Sequence, residues 1–256
     1  MNPLNLEEVC TYVNENIDKF HAHRIEITSK VKLGQLISKN PYLFRAKNII
    51  KASELIESTL DAFLSSSEEK QFGDFLEDLA IFVASKTCGG HKSACEGMDL
   101  EFENNGIYHV ISIKSGPSWG NAAQHARLAT DFANAEKRLR QSSHFPTVQK
   151  VLVICYGKTH TASTSRGYIK VVGQNFWTLI SENQNLYIDI IEPVGFRAKE
   201  HNDKYIQERG RITNLLTMQF IESFCDDSGI IDWPKLIKAN SGNYDLDTFW
   251  GKDSTK

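Results

Sequence analysis

The sequence predicts an α/β fold: a central mixed β-sheet flanked by helices, with a helical N-terminal portion ahead of it. Three observations carry this. Apolar residues at helical spacing fill the first third of the 256-residue chain. Two strand-like segments flank Asn104-Asn105-Gly106, a hairpin-turn signal. Val151-Leu152-Val153-Ile154-Cys155 is a continuous apolar run of the kind found in strands buried on both faces.

Taken in order, a helix is expected from Leu4-Asn5-Leu6 onward and another over 33–38, with Pro41 interrupting the pattern. Ser53 is positioned to cap a helix through Leu55, Ile56, Leu60 and Phe63-Leu64. Ser65-Ser66-Ser67 reads as its stop and as the cap of a further helix through Phe72, Phe75, Leu76, Leu79, Ile81 and Phe82. Residues 86–96, with Gly89 and Gly90, read as loop. Residues 99–103 and 107–114 are the hairpin strands, ended by Gly116-Pro117, and 121–140 is a long helix with Leu128, Phe132, Ala135 and Leu139 on one face. Residues 155–166 read as a polar loop, 168–172 and 187–191 as strands around a helix at 176–180, and 213–224 and 233–239 as helices. Domains are drawn at 1–66, helical and a candidate for dimerisation, and 67–256, the α/β part.

Composition removes several classes. With 41% hydrophobic and 24% charged residues the chain has material for a core, so disordered, collagen-like and disulfide-scaffold classes are excluded. No apolar run approaches the ~18–20 residues of a membrane span. Glu7, Glu8, Glu15 and Asp18 argue against a signal peptide at the N-terminus. Five cysteines, an odd number, point to reduced thiols and a cytoplasmic location. The net charge is −3, but residues 131–172 hold seven Lys/Arg against two Asp/Glu. Such a segment is either a solvated helix face or a surface for a polyanion.

Chemistry concentrates between Glu96 and Gln124. Asp99 opens one hairpin strand and Lys114 closes the other, so a tight hairpin returns them to the same end of the sheet. Held together, such a pair can bind Mg²⁺ through the Asp and position or activate a water for attack on a phosphodiester. The same spacing also describes a surface salt bridge.

The residues Phe72-Gly73-Asp74-Phe75-Leu76-Glu77, Gly97-Met98-Asp99-Leu100-Glu101-Phe102 and Ile113-Lys114-Ser115-Gly116-Pro117 resemble type II restriction endonucleases of the EcoO/PmeII group, within the PD-(D/E)XK nuclease superfamily. Asn40 to Asn48, Ser65 to Glu69 and Gly173 to Trp177 extend the resemblance over about residues 38–192. It implies a restriction-endonuclease-like core and Mg²⁺-dependent hydrolysis of duplex DNA at a specific site, leaving 5′-phosphate and 3′-hydroxyl ends. It also implies a homodimer, a DNA methyltransferase encoded nearby, and a G·C-rich palindrome of the GGNCC type. Carried over by position, Asp99 is the metal-binding acid, Lys114 the catalytic lysine, Glu77 a further metal or water ligand, and the Ile113 carbonyl a metal ligand.

One position departs from the pattern. Where the superfamily has an acid two residues before the lysine, this chain has Ser112, and a hydroxyl is a poorer ligand for a hard cation. Either Glu77, Glu101 or Asp131 supplies the carboxylate, or the nuclease is weakened, or the register differs. Glu101 shares the strand face of Asp99. Asn121 and Gln124 at a helix N-terminus suit a phosphate or simply cap the helix. Lys158 and Arg166 are candidate DNA contacts on the loop after the buried run. Cys88, His91 and Cys95 match no common zinc spacing and read as unpaired loop residues; the remaining histidines, His144 among them, form no cluster. The rival functions are a structure-specific repair or recombination nuclease and a non-catalytic DNA-binding relative.

Overall fold

The computed structural model describes residues 1–142 and 147–243; His144 lies outside the described residues. The chain divides into two compact units, Met1–His21 with Glu69–His201, and Ala22–Glu68 with Asn202–Lys256. Each boundary falls inside a helix: α1 (Leu6–Ser29), α4 (Ala52–Thr87) and α9 (Ala198–Phe224).

The first unit is built on a six-stranded sheet in the order β1-β2-β3-β4-β6-β5. The strands are β1 (His91–Lys92), β2 (Leu100–Asn104), β3 (Ile107–Lys114), β4 (Thr147–Ile154), β5 (His160–Ser163) and β6 (Ile169–Val172). β2 and β3 are the expected hairpin; Asn105 and Gly106, at φ 54° and 77°, make the tight turn that Asn-Gly favours. β3 and β4 run parallel, joined through α5 (Ala122–Ser142), and β4 pairs in parallel with β6.

Both faces of this sheet are covered. Ile111, Ile113, Val151, Val153 and Val171 face the α1 residues Val9, Val13 and Ile17, the α4 residues Leu76, Leu79 and Val83, and α6 (Gln174–Ser181). Tyr108, Val110, Leu152, Ile154 and Val172 face α5 through Leu128, Phe132, Ala135 and Leu139. Burial on both sides explains why β4 is apolar without alternation. Phe102, 1% exposed, packs in the first of these layers. Phe102→Ala is expected to cost about 3–5 kcal/mol in urea unfolding, the cavity cost of a buried aromatic.

The second unit has its own core, in which Leu36, Phe44, Leu55, Ile56, Leu60 and Leu64 meet Tyr205, Ile212, Leu216, Phe220 and Leu236. It contains α2 (Leu33–Ile37), α3 (Pro41–Ala46) and α10 (Trp233–Ser241). Asn40 caps α3 by accepting from Tyr42 N and Leu43 N, with Pro41 at the first helical position, where its missing N–H costs nothing.

Several elements differ from the sequence expectation. Ser65–Ser67 do not break the helix; α4 runs through them for 36 residues. The Ser66 hydroxyl donates to the Ala62 carbonyl, so its hydrogen bond is met inside the helix. The expected strand at 187–191 is instead two short helices, α7 (Leu186–Asp189) and α8 (Ile191–Val194). Leu186 and Ile190 are buried four residues apart while Tyr187 and Ile191 are exposed, a helical period that the β-branched composition concealed. His91–Lys92 and His160–Ser163 are short edge strands within segments read as loop; all six side chains are exposed, so no apolar pattern marked them. α9 starts fifteen residues before Thr213, its polar first half stabilised by local pairs such as Arg211–Glu208. Among the described residues, no helix is long and apolar enough to cross a membrane.

Candidate active site

The hairpin register sets Leu100 opposite Ile111, which brings Asp99 beside Ser112. The Asp99 backbone is fixed on both sides: its N–H donates to the Ile111 carbonyl at 2.8 Å and its carbonyl accepts from Ser93 N at 3.2 Å. Its carboxylate oxygen Oδ2 then accepts from three groups of β3: Ile113 N at 2.6 Å, Ser112 Oγ at 3.2 Å and Lys114 Nζ at 3.4 Å. Asp99 and Lys114 thus meet at the C-terminal end of β3, half-buried rather than on open surface.

Glu77 approaches from α4. One turn earlier Gly73 lies close to the residue after β3: a Cβ there would sit 3.3 Å from Ser115 Oγ, a tight contact to which the serine would have to yield by a few tenths of an ångström. The Glu77 carboxyl is held above the usual carboxylate range by burial first, then by the Asp99 charge; Lys92, with Nζ at 3.8 Å, and Lys114 pull the other way. The Cys155 thiol, at the end of β4, is pushed up to about 12 by burial and next by Glu77, which keeps it protonated and inert. Asp99 and Glu77, with a lysine alongside, offer oxygen donors of the kind a hard divalent cation takes.

The family model of the type II restriction endonuclease EcoO109I matches residues 7–202. The chain belongs to this family. A type II restriction endonuclease is a site-specific deoxyribonuclease, a hydrolase that binds double-stranded DNA, and the α/β architecture with its mixed sheet agrees with the restriction-endonuclease-like fold. No curated protein matches the chain.

The other sequence-selected residues of this EcoO109I-family protein separate into those near Asp99 and those engaged elsewhere. Ser112 is fully buried and donates its hydroxyl to Asp99, acting as a brace for that carboxylate. Glu101 is buried and accepts from Tyr108 OH at 2.7 Å and from Ser93 Oγ, so its oxygens are occupied away from Asp99. Asp131 lies against the Gly97 backbone, where a Cβ would come within 2.9 Å of its carboxylate, and it faces Arg127 at 3.9 Å. The Glu77 carboxyl, by contrast, is raised in part by the Asp99 charge and lowered in part by Lys114.

Asn121 and Gln124 form a reciprocal capping box at the start of α5: Gln124 N donates to Asn121 Oδ1 at 3.0 Å and Asn121 N to Gln124 Oε1 at 2.9 Å. Lys158 and Arg166 are exposed on either side of β5. Cys88 packs with one face of the sheet and Cys95 is buried on the other, while His91 is exposed. Among the described residues, no group of three His, Cys, Asp or Glu side chains could hold a metal. Sequence reading did not single out Gly73 for its close approach or Trp119, whose ring lies 5.5 Å from Lys114 Nζ. A glycine inside an apolar helical pattern was the available signal for the first.

Proposed function

We propose that this protein cleaves double-stranded DNA at a specific short sequence by Mg²⁺-dependent hydrolysis, leaving 5′-phosphate and 3′-hydroxyl ends. The observation that supports it is the meeting of Asp99 and Lys114 at the end of β3, with Glu77 near enough to feel both charges. Mg²⁺ characteristically takes one or two protein carboxylates, the rest of its shell being other oxygens, water and substrate phosphate, so a site with two acids fits it. Asp99, Glu77 and the Ile113 main-chain carbonyl would hold the ion, which when bound offsets negative charge on the phosphate and lowers the pKa of a coordinated water.

The residues divide the remaining work. The backbone N–H of Ile113 and the hydroxyl of Ser112 hold the Asp99 carboxylate in one orientation. Lys114 orients the attacking water and places its ammonium where negative charge grows on the non-bridging oxygens. The water oxygen forms the new bond to phosphorus and loses a proton to solvent as the bond to the 3′-oxygen breaks, and the departing oxygen takes a proton from solvent to become the 3′-hydroxyl. Lys158 and Arg166 contact the DNA in this reading, Arg166 reading a base edge. Asn121 and Gln124 serve chiefly to cap α5.

A palindromic recognition site calls for two active sites related by a two-fold axis, so the protein acts as a homodimer, and a methyltransferase encoded nearby protects host DNA. The helical segment 1–66 supplies dimer contacts; Tyr42, Leu43 and Ile50 expose apolar side chains there, in the second unit. Light scattering should give twice the 29.0 kDa chain mass, and Leu43→Glu with Ile50→Glu should give the monomer, with cleavage falling in parallel.

The test of the function is incubation with long unmethylated DNA in Mg²⁺ and in EDTA. Discrete metal-dependent fragments support the proposal and yield the site and overhang. A smear would indicate a structure-specific nuclease, and intact DNA with a specific mobility shift a non-catalytic relative.

A further inference from the structure

The segment between β3 and α5, Ser115-Gly116-Pro117-Ser118-Trp119-Gly120, supplies no group to the proposed reaction. Its indole nevertheless faces the amine on which that reaction depends. Lys114 Nζ lies 5.5 Å from the centroid of the Trp119 ring, on a side chain whose other partner is Asp99 at 3.4 Å. A lysine carries four rotatable carbons, and an ammonium beside two carboxylates has two alternative ion pairs to collapse into. An aromatic face within about 6 Å attracts the cation without neutralising it.

The indole is itself braced. Trp119 packs partly against the core between the sheet and α5, and its ring meets His125 edge-on at 5.0 Å. His125 Nδ1 is 2.9 Å from the hydroxyl of Tyr168, which is buried and stacked obliquely on Phe132. Gly120, at φ 92°, completes the arrangement: a Cβ there would lie 2.8 Å from His125 Nε2, so only a glycine lets the Trp119 loop close onto the histidine. A continuous series of contacts therefore runs from the α5 face of the core, through Tyr168, His125 and Trp119, to Lys114.

We infer that Trp119, braced by His125 and Tyr168, is a positioning residue that holds the Lys114 ammonium in its working orientation beside Asp99. This rests on the role given to Lys114 above. Misplacement of a reacting group by about 1 Å costs on the order of 100-fold in rate. Trp119→Ala is accordingly expected to lower the single-turnover cleavage rate by roughly 10- to 100-fold. Affinity for cognate DNA in EDTA should stay within about threefold, because uniform binding is untouched. Trp119→Phe, which keeps an aromatic face, should recover most of the rate, and His125→Ala should fall between the two.

The experiment compares these variants on a plasmid bearing the mapped cut site, with thermal melting as the control for folding. A second readout does not depend on activity: NMR of the parent should show the Lys114 Cε protons shifted upfield by the indole ring current, and Trp119→Ala should abolish that shift. Parent-like cleavage by Trp119→Ala, or a Lys114 signal without the ring-current shift in the parent, would overturn the inference. So would equal loss of DNA binding and cleavage in both Trp119 variants, since that describes a structural residue. Failure of the underlying reading looks different: Lys114→Ala itself would then cut at the parent rate.

Discussion

Lys114→Ala should reduce DNA cleavage by roughly 10²–10³-fold, the usual loss when one charge-stabilising group is removed from a reaction centre, while specific DNA binding persists. The two outcomes separate because Lys114 sits at the strand end beside Asp99 and Trp119, and in the proposed function it serves the reacting phosphate while other residues read the bases. Asp99→Ala should leave no detectable cleavage, since the groups of β3 that define the site converge on its Oδ2. That variant also strands the Ile113 N–H and the fully buried Ser112 hydroxyl, at about 1–3 kcal/mol for each group left unpaired. Asp99→Asn is the cleaner test because the amide oxygen still accepts from them. Gel-shift affinity in EDTA with single-turnover rates in Mg²⁺ checks both variants. Normal cutting by Lys114→Ala and Asp99→Asn would show that the chemistry lies elsewhere.

The hairpin was legible because its signals are local. Asn105-Gly106 dictates a tight turn, and the strand lengths on either side then fix which residues face one another. The Asp99–Lys114 encounter follows from that register. What two strands alone could not reveal was the occupation of neighbouring side chains. Glu101 alternates with Asp99 and looked equally available, yet Tyr108 across the hairpin and Ser93 from the preceding loop hold its carboxylate. Glu77 follows from resemblance, while its place near Asp99 is set by the packing of α4 on the sheet, which no local pattern encodes. The elements that differ from the sequence expectation have separate causes. Serines were accommodated inside α4, and β-branched residues formed α7 and α8 because Leu186 and Ile190 are drawn into the core at helical spacing. Polar edge strands such as β5 carry no apolar period, so only pairing with β6 reveals them.

Glu77→Gln should move stability and activity in opposite directions. In the metal-free protein the Glu77 carboxyl sits above its ordinary value, chiefly through burial and secondarily through the Asp99 charge. Folding therefore favours its protonated form. The stability it contributes is complete below the ordinary carboxylate range and is lost as the pH rises through the raised value, because the native state then has to carry a second, partly desolvated charge beside Asp99. Near neutral pH a neutral glutamine removes that charge without emptying the space, so the variant should melt a few degrees above the parent in EDTA. The gain should vanish toward pH 4, where the parent is protonated. In the presence of Mg²⁺ the ordering should reverse: the parent gains stability by binding the ion between its two acids, whereas the variant keeps one acid and gains less. Cleavage should fall with it. Melting curves at pH 4 and pH 7.5, each with EDTA and with Mg²⁺, test the linkage without reference to the reaction. If Glu77→Gln melts below the parent in EDTA at pH 7.5, then Glu77 is held by favourable pairing with Lys92 and Lys114, and the site is a salt-bridge cluster instead of one preorganised for a cation.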